Sequence, residues 1–145
     1  MRLFTIGFTK KSARTFFGLL QESGASELID VRLNNVSQLA GFAKRDDLEF
    51  FLGEICDMKY RHLTSLAPTQ PMLDTFKKRG GDWRLYEADF LQLMQERRIE
   101  ENLDPADIDN TVLLCSEEKP HNCHRRLVAE YLQDRWGDVE IVHLG

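Results

Sequence analysis

The chain has 145 residues, 42% of them hydrophobic, which is enough to close one sizeable core and too few for two independent domains. A formal net charge of −5 argues against a protein that coats nucleic acid through bulk electrostatics and leaves small anions, held in a local basic pocket, as the expected partners. Three cysteines, no signal-peptide pattern and no apolar run near the roughly 18 residues of a membrane span point to a reducing compartment, with the cytoplasm as the expected location.

Strand-like and helix-like segments alternate along the chain. Leu3 to Gly7 is short, apolar and β-rich, and Ser12 to Glu22 sets Phe16, Phe17, Leu19 and Leu20 along one helical side, with Gly24 placed to stop it. Glu27 to Val31 repeats the strand signal. A polar loop, Arg32 to Lys44, leads to a second helix over Asp46 to Met58, where Leu48, Phe51, Leu52 and Ile55 fall at helical spacing. Lys59 to Leu63 predicts a third strand. Pro68 and Pro71 mark a loop, a short helix follows to Arg79, and Gly80-Gly81 separates it from a long helix over Trp83 to Glu100 with Tyr86, Phe90, Leu93 and Met94 as its buried stripe. Asp104-Pro105 has the form of a capped turn, with aspartate as cap and proline in the first helical position. Thr111 to Cys115 predicts a buried strand, Ser116 to Asn122 a polar loop, Cys123 to Arg135 a helix and Val139 to Val142 a last strand.

Such alternation predicts one α/β domain over residues 1–145: three layers, a mainly parallel sheet of about five strands, helices on both faces and right-handed crossovers, in a Rossmann-like arrangement. Ligands of such sheets gather beyond the carboxyl ends of the strands where strand order reverses. Those ends carry Thr5 to Thr9, Asp30 with Arg32, and Cys115 to Arg125, so segments far apart in sequence are expected to converge on one cleft.

The tripeptide Cys123-His124-Arg125 stands where a polar loop becomes a helix, and a helix N-terminus offers unpaired N–H groups and a positive dipole end. A cysteine there is biased toward thiolate, His124 suits general acid/base work, and Arg125 can fork onto a phosphate or carboxylate. Glu117 would reach the same cleft from the loop and move protons. Asp30 and Arg32 read equally well as a base with an anion clamp or as an ion pair that braces the loop. Thr5 to Thr9 holds one glycine, too few for a nucleotide-hydrolase phosphate loop, but can supply one amide and one hydroxyl. Cys115, His121, Cys123 and His124 lack the spacing of a zinc set, so neither a metal nor a cofactor is expected. The runs Lys77-Lys78-Arg79 and Arg97-Arg98 read as solvated helix ends, and Trp83, Tyr86 and Trp136 as core or interface.

Together, Thr5-Ile6-Gly7-Phe8-Thr9, Asp30-Val31-Arg32 with Ser37 after it, Phe42, Tyr60-Arg61-His62, Leu113-Leu114-Cys115-Ser116-Glu117 and Cys123-His124-Arg125 resemble the family catalogued as domain of unknown function 488. The likeness spans nearly the whole chain. It implies an α/β fold with these polar motifs gathered in one active site, so that Thr5, Gly7, Thr9, Ser37, Tyr60 and Cys115 join Arg32 and Arg125 as substrate-binding candidates, beside Cys123, His124, Glu117 and Asp30 as catalytic ones. The chain departs from the usual pattern at Thr9, where serine is common, at Asn34 and Asn35, where a proline is common, and at Leu66-Ala67-Pro68, where glycines often follow. Two functions stay open on the sequence: an enzyme acting on a small anionic substrate, a nucleotide or a nucleic-acid-derived group, and a non-catalytic module that holds an anionic ligand or partner.

Overall fold

In the computed structural model, which describes residues 1–36, 41–78, 80–117, 120 and 123–145, the apolar run Thr111–Cys115 is buried at every position. That continuous burial is the mark of a strand covered on both faces, and this strand is the middle of a parallel sheet. The five strands are β1 (Arg2–Gly7), β2 (Glu27–Asp30), β3 (Lys59–His62), β4 (Thr111–Cys115) and β5 (Glu140–His143), in the order β3-β2-β4-β1-β5. All four neighbouring pairs are parallel, with Gly7 beside Cys115 and Asp30 beside Leu114. The half-buried edges β3 and β5 carry the polar residues.

Side chains alternate across the sheet and split the core in two. Leu3, Ile29, Leu113 and Cys115 join one apolar cluster, and Phe4, Ile6, Leu28, Val112 and Leu114 the other. The second cluster is roofed by α1 (Ala13–Ser23) and α2 (Arg45–Phe51), through Phe16, Phe17, Leu20 and Leu48. The first is covered by α3 (Gln70–Lys78), α4 (Trp83–Arg97), α5 (Ile99–Asn102), α6 (Pro105–Ile108) and α7 (His124–Trp136). Right-handed crossovers explain the division: the chain steps outward from β1 to β2 to β3 under one face, then returns to β4 and on to β5 over the other. The predicted α/β architecture with helices on both faces is therefore the observed one.

Most element ends lie within a residue or two of the prediction, and the larger departures have local causes. Ser12 caps α1 by accepting the Thr15 N–H at 3.1 Å, and Gly24 ends it in the left-handed region at φ 69°. The helix expected over Asp46 to Met58 widens into a π-turn at Leu52–Cys56 and stops where Asp57 turns left-handed, which leaves Met58 to bury at the sheet. The long helix expected to reach Glu100 breaks at Arg98 (φ 51°). The break aims Ile99 into the core, while the Asn102 side chain donates to the freed Arg97 carbonyl at 2.9 Å. Arg97, expected on a solvated face, donates to the carbonyls of Ser65 and Ala67, each at 2.7 Å, and so fastens the turn ahead of α3. Among the described residues no helix is long and apolar enough to cross a membrane.

Candidate functional site

At the carboxyl edge, β4 lies between β2 and β1, so Cys115 has the end of β2 on one side and Gly7 on the other. The loop after β4 is pressed onto β1. Thr9 receives the Ser116 carbonyl from two directions, donating through its N–H at 3.0 Å and its hydroxyl at 2.5 Å. A Cβ on Gly7 would collide with the Glu117 carbonyl, so only glycine admits that approach. Arg125, fully buried, donates to the same Glu117 carbonyl at 2.6 Å and to the Thr5 hydroxyl at 3.3 Å. Thr5 in turn shares a 2.5 Å hydrogen bond with His143 on β5, whose imidazole is held below its ordinary pKa by burial and by the Arg125 charge.

The edge of β2 carries a second polar network. Arg32 forks onto Asp30 through Nε at 2.9 Å and Nη2 at 2.8 Å, and its own N–H adds a third bond to that carboxylate at 3.1 Å. Tyr60 donates its hydroxyl to Asp30 at 2.6 Å, and its phenol is pushed up by burial and by that carboxylate. His62 bonds the Arg32 carbonyl at 2.6 Å through Nε2, and Asn35 bridges Tyr60 and His62 at 3.0 and 3.2 Å. Arg32 also donates from Nη2 to the Ala43 carbonyl at 2.8 Å and stacks over the Phe8 ring at 5.3 Å. One atom is left over: Nη1 of Arg32 is buried and without a hydrogen-bond partner among the described residues. A buried donor left unpaired is costly in a folded protein, which makes it a candidate ligand contact.

Helix α7 begins with an unusual cap. Cys123 takes the extended N-cap conformation, yet its side chain caps no amide. It lies instead in a buried trio with Cys115 and His124, whose sulfur and ring-nitrogen atoms are all within 4.8 Å of one another. Nε2 of His124 lies 2.6 Å from the Val31 carbonyl and Nδ1 lies 3.4 Å from Cys115 Sγ. A carbonyl can only accept, so Nε2 carries the proton; the same sulfur lies 3.9 Å from Nε2, so it sits over the imidazole face with the unprotonated Nδ1 as its nearer nitrogen. Burial alone would push the Cys115 thiol up. The Cys123 thiol, the Arg125 charge and the N–H groups of Ser116 and Glu117 outweigh it and bring Cys115 below the ordinary value. Cys123 goes the opposite way, raised well above that value by burial and by its bond to Cys115. The thiolate bias expected at Cys123 thus falls on Cys115, because the raised loop amides and Arg125 converge on that sulfur.

Arg32, Cys115, Cys123, His124 and Glu117 line one cleft of about 220 Å³, whose other wall is built by Phe76, Trp83 and Tyr86. The predicted convergence of remote segments is therefore present, with corrections. Arg125, Thr5, Gly7 and Thr9 do not line the cleft; they brace the loop behind it, where Arg125 is fully buried with Nε on Thr5 and Nη1 on the Glu117 carbonyl. Asp30 is ion-paired with Arg32, as in the bracing alternative, and Tyr60 donates to Asp30. Glu117 sits at the rim with an exposed side chain, while its N–H serves Cys115. Ser37 lies outside the described residues. Trp83 and Tyr86, expected as core or interface, form a stacked wall with ring centroids 5.1 Å apart, and Trp83 Nε1 is buried without a partner among the described residues. Their helical spacing matches that of a core stripe, so only the topology of α4 over the end of β4 could reveal them. Among the described residues, Cys115, Cys123 and His124 are also side chains that could hold a thiophilic metal ion, although their sequence spacing argues against a zinc set, because Cys115 reaches the trio through the sheet; His121 lies outside the described residues.

The chain belongs to the family described as Domain of unknown function DUF488, which matches residues 12–132. No curated protein and no solved structure matches it.

Proposed function

We propose that this member of the family is an enzyme of nucleophilic catalysis acting on a small anionic substrate, of the nucleotide or nucleic-acid-derived class, with Cys115 as nucleophile and His124 as its base. The observation that carries this is the 3.4 Å approach of His124 Nδ1 to Cys115 Sγ while Nε2 is held on the Val31 carbonyl. A nucleophile, a base and a group that orients the base are the minimum for activating a thiol. Cys115 attacks the electrophilic atom of the substrate, His124 takes the thiol proton and returns it to the leaving group, and Nη1 of Arg32, without a partner among the described residues, binds the anionic group. The flat pair Trp83 and Tyr86 suits a planar ring such as a base, and a cleft of about 220 Å³ suits a small metabolite rather than a polymer. Three free cysteines accord with work in the reducing cytoplasm.

Alkylation by two reagents of one shape, anionic iodoacetate and neutral iodoacetamide, tests this without knowledge of the substrate. Cys115 is expected to react at least about tenfold faster than Cys56 at pH 7.5, as a partly ionised thiolate should. It should also favour iodoacetate, relative to the preference shown by Cys56. His124→Asn should remove the rate advantage, and Arg32→Lys, which keeps the charge but loses the fork, should remove the preference for the anion. Equal rates at Cys115 and Cys56 would dispose of the nucleophile, and an unchanged preference in Arg32→Lys would dispose of the anion site.

A further inference from the structure

Two thiols in one buried cluster permit a reaction that one nucleophile cannot complete. The sulfurs of Cys115 and Cys123 lie within 4.8 Å of each other, and both residues are buried. A disulfide holds its sulfurs at about 2.05 Å, so they have at most about 2.8 Å to close. Cys123 is free to make that movement in a way a mid-helix residue is not: as N-cap it stands outside the helical ladder, at φ −139° and ψ 140°, and its side chain caps nothing. The remaining cysteine, Cys56, sits in the π-turn on the opposite face of the sheet, bonded to the Phe17 carbonyl, and serves as an internal control.

We propose that Cys115 and Cys123 form a dithiol that reduces a small organic hydroperoxide admitted by the cleft. The proposal rests on the reading of Cys115 as the site's nucleophile and adds a second activity to it. In the first step the Cys115 thiolate attacks the terminal oxygen of R–O–O–H. The S–O bond forms as the O–O bond breaks, Cys115 becomes a sulfenic acid, and the alkoxide leaves with the proton that His124 took from the thiol, as ROH. In the second step Cys123 attacks the Cys115 sulfur, the S–S bond forms, the S–O bond breaks, and the hydroxide departs as water with the Cys123 proton. The sulfurs lose two electrons in all and the peroxide gains them. An external dithiol restores the pair. Arg32 lines the cleft, and its Nη1, buried and without a partner among the described residues, is the donor we assign to the peroxide oxygens, while the apolar wall of Phe76, Trp83 and Tyr86 selects an alkyl or aryl group over hydrogen peroxide itself.

Reduced full-length protein treated with one equivalent of cumene hydroperoxide tests the assignment by thiol count and by mass spectrometry of unreduced peptides. The thiol count should fall from three to one, the survivor being Cys56, with a Cys115–Cys123 disulfide in the digest. Cys123→Ser should stop at a sulfenic acid on Cys115 that dimedone traps, and Cys115→Ser should consume no peroxide at that dose. Three thiols surviving, oxidation at Cys56, or dimedone on Cys123 would overturn it. If Cys115 in Cys123→Ser still alkylates rapidly while the wild type forms no disulfide, the dithiol falls and the nucleophile stands. Slow alkylation of Cys115 in every form would remove both.

Discussion

Two buried polar clusters stand side by side at the carboxyl edge of the sheet, and they treat their hydrogen bonds in opposite ways. Around Asp30 every acceptor is claimed: Arg32 takes the carboxylate with two side-chain donors and one amide, and Tyr60 takes it with a hydroxyl. Around Cys115 the donors exceed what a neutral thiol needs, for a thiol and two amides point at one sulfur and the Arg125 charge lies close to it. A saturated network holds a loop in place, whereas a cluster with surplus donors favours a negative charge, on the sulfur itself or on what attacks it. Arg32 touches both: it is the spine of the first network, and it lines the cleft into which the second opens.

Removing the anchor of the saturated cluster should have the largest effect. Asp30→Ala leaves the Arg32 guanidinium, 4% exposed, as an uncompensated buried charge, and breaking a buried pair in this way costs about 3–5 kcal/mol. Urea unfolding should report that loss, and the double variant Asp30→Ala with Arg32→Met should recover much of it, because a buried pair replaced by apolar groups is close to neutral. If the double variant is as unstable as the sum of its parts, the two residues are not acting as one ion pair.

A smaller effect is expected one bond further out. Tyr60→Phe deletes a hydroxyl that donates to Asp30 at 2.6 Å and accepts from Asn35 at 3.0 Å, and a bond to a charged partner contributes about 2 kcal/mol. The loss should appear in the unfolding midpoint while Cys115 keeps its alkylation rate, since Tyr60 does not line the cleft. A variant that kept its stability but slowed at Cys115 would show that the two clusters are coupled more tightly than their separate hydrogen bonds allow.

The saturated cluster was half legible in the sequence and the reactive one less so. Asp30 and Arg32 two residues apart at a strand end already suggest a pair, but Tyr60 enters from β3, thirty residues on, through strand register alone. The strand Thr111–Cys115 and the helix beginning near Cys123 were plain from apolar periodicity. What local pattern cannot say is which sulfur gains the surrounding donors. That depends on Gly7 admitting the Glu117 carbonyl and on Arg125 turning inward to it, two contacts set by the pairing of β1 with β4. The stacked wall of Trp83 and Tyr86 was hidden for a related reason, since a helical stripe over a cleft has the same spacing as one over a core.

The smallest expected effect separates the two sulfurs by pH. Cys123 keeps its proton in the folded protein beyond the pH at which the unfolded chain, with a thiol pKa near about 8.5, gives it up. Its contribution to stability is complete below that value and is lost as the pH rises. Cys115, with its pKa lowered by folding, contributes in the reverse sense: fully above the unfolded value, and less as the pH falls through its folded one. Cys123→Ser keeps a hydroxyl to donate to Cys115 but removes the titration, so it isolates the first of these opposed contributions. Between pH 8 and 9 the wild type should lose more stability than the variant, by less than about 1 kcal/mol, in urea midpoints taken at each pH. A variant that loses as much as the wild type would mean that the proton is not held on Cys123. The surplus donors around Cys115 would then be facing a neutral thiol, and the contrast with the saturated Asp30 cluster would vanish.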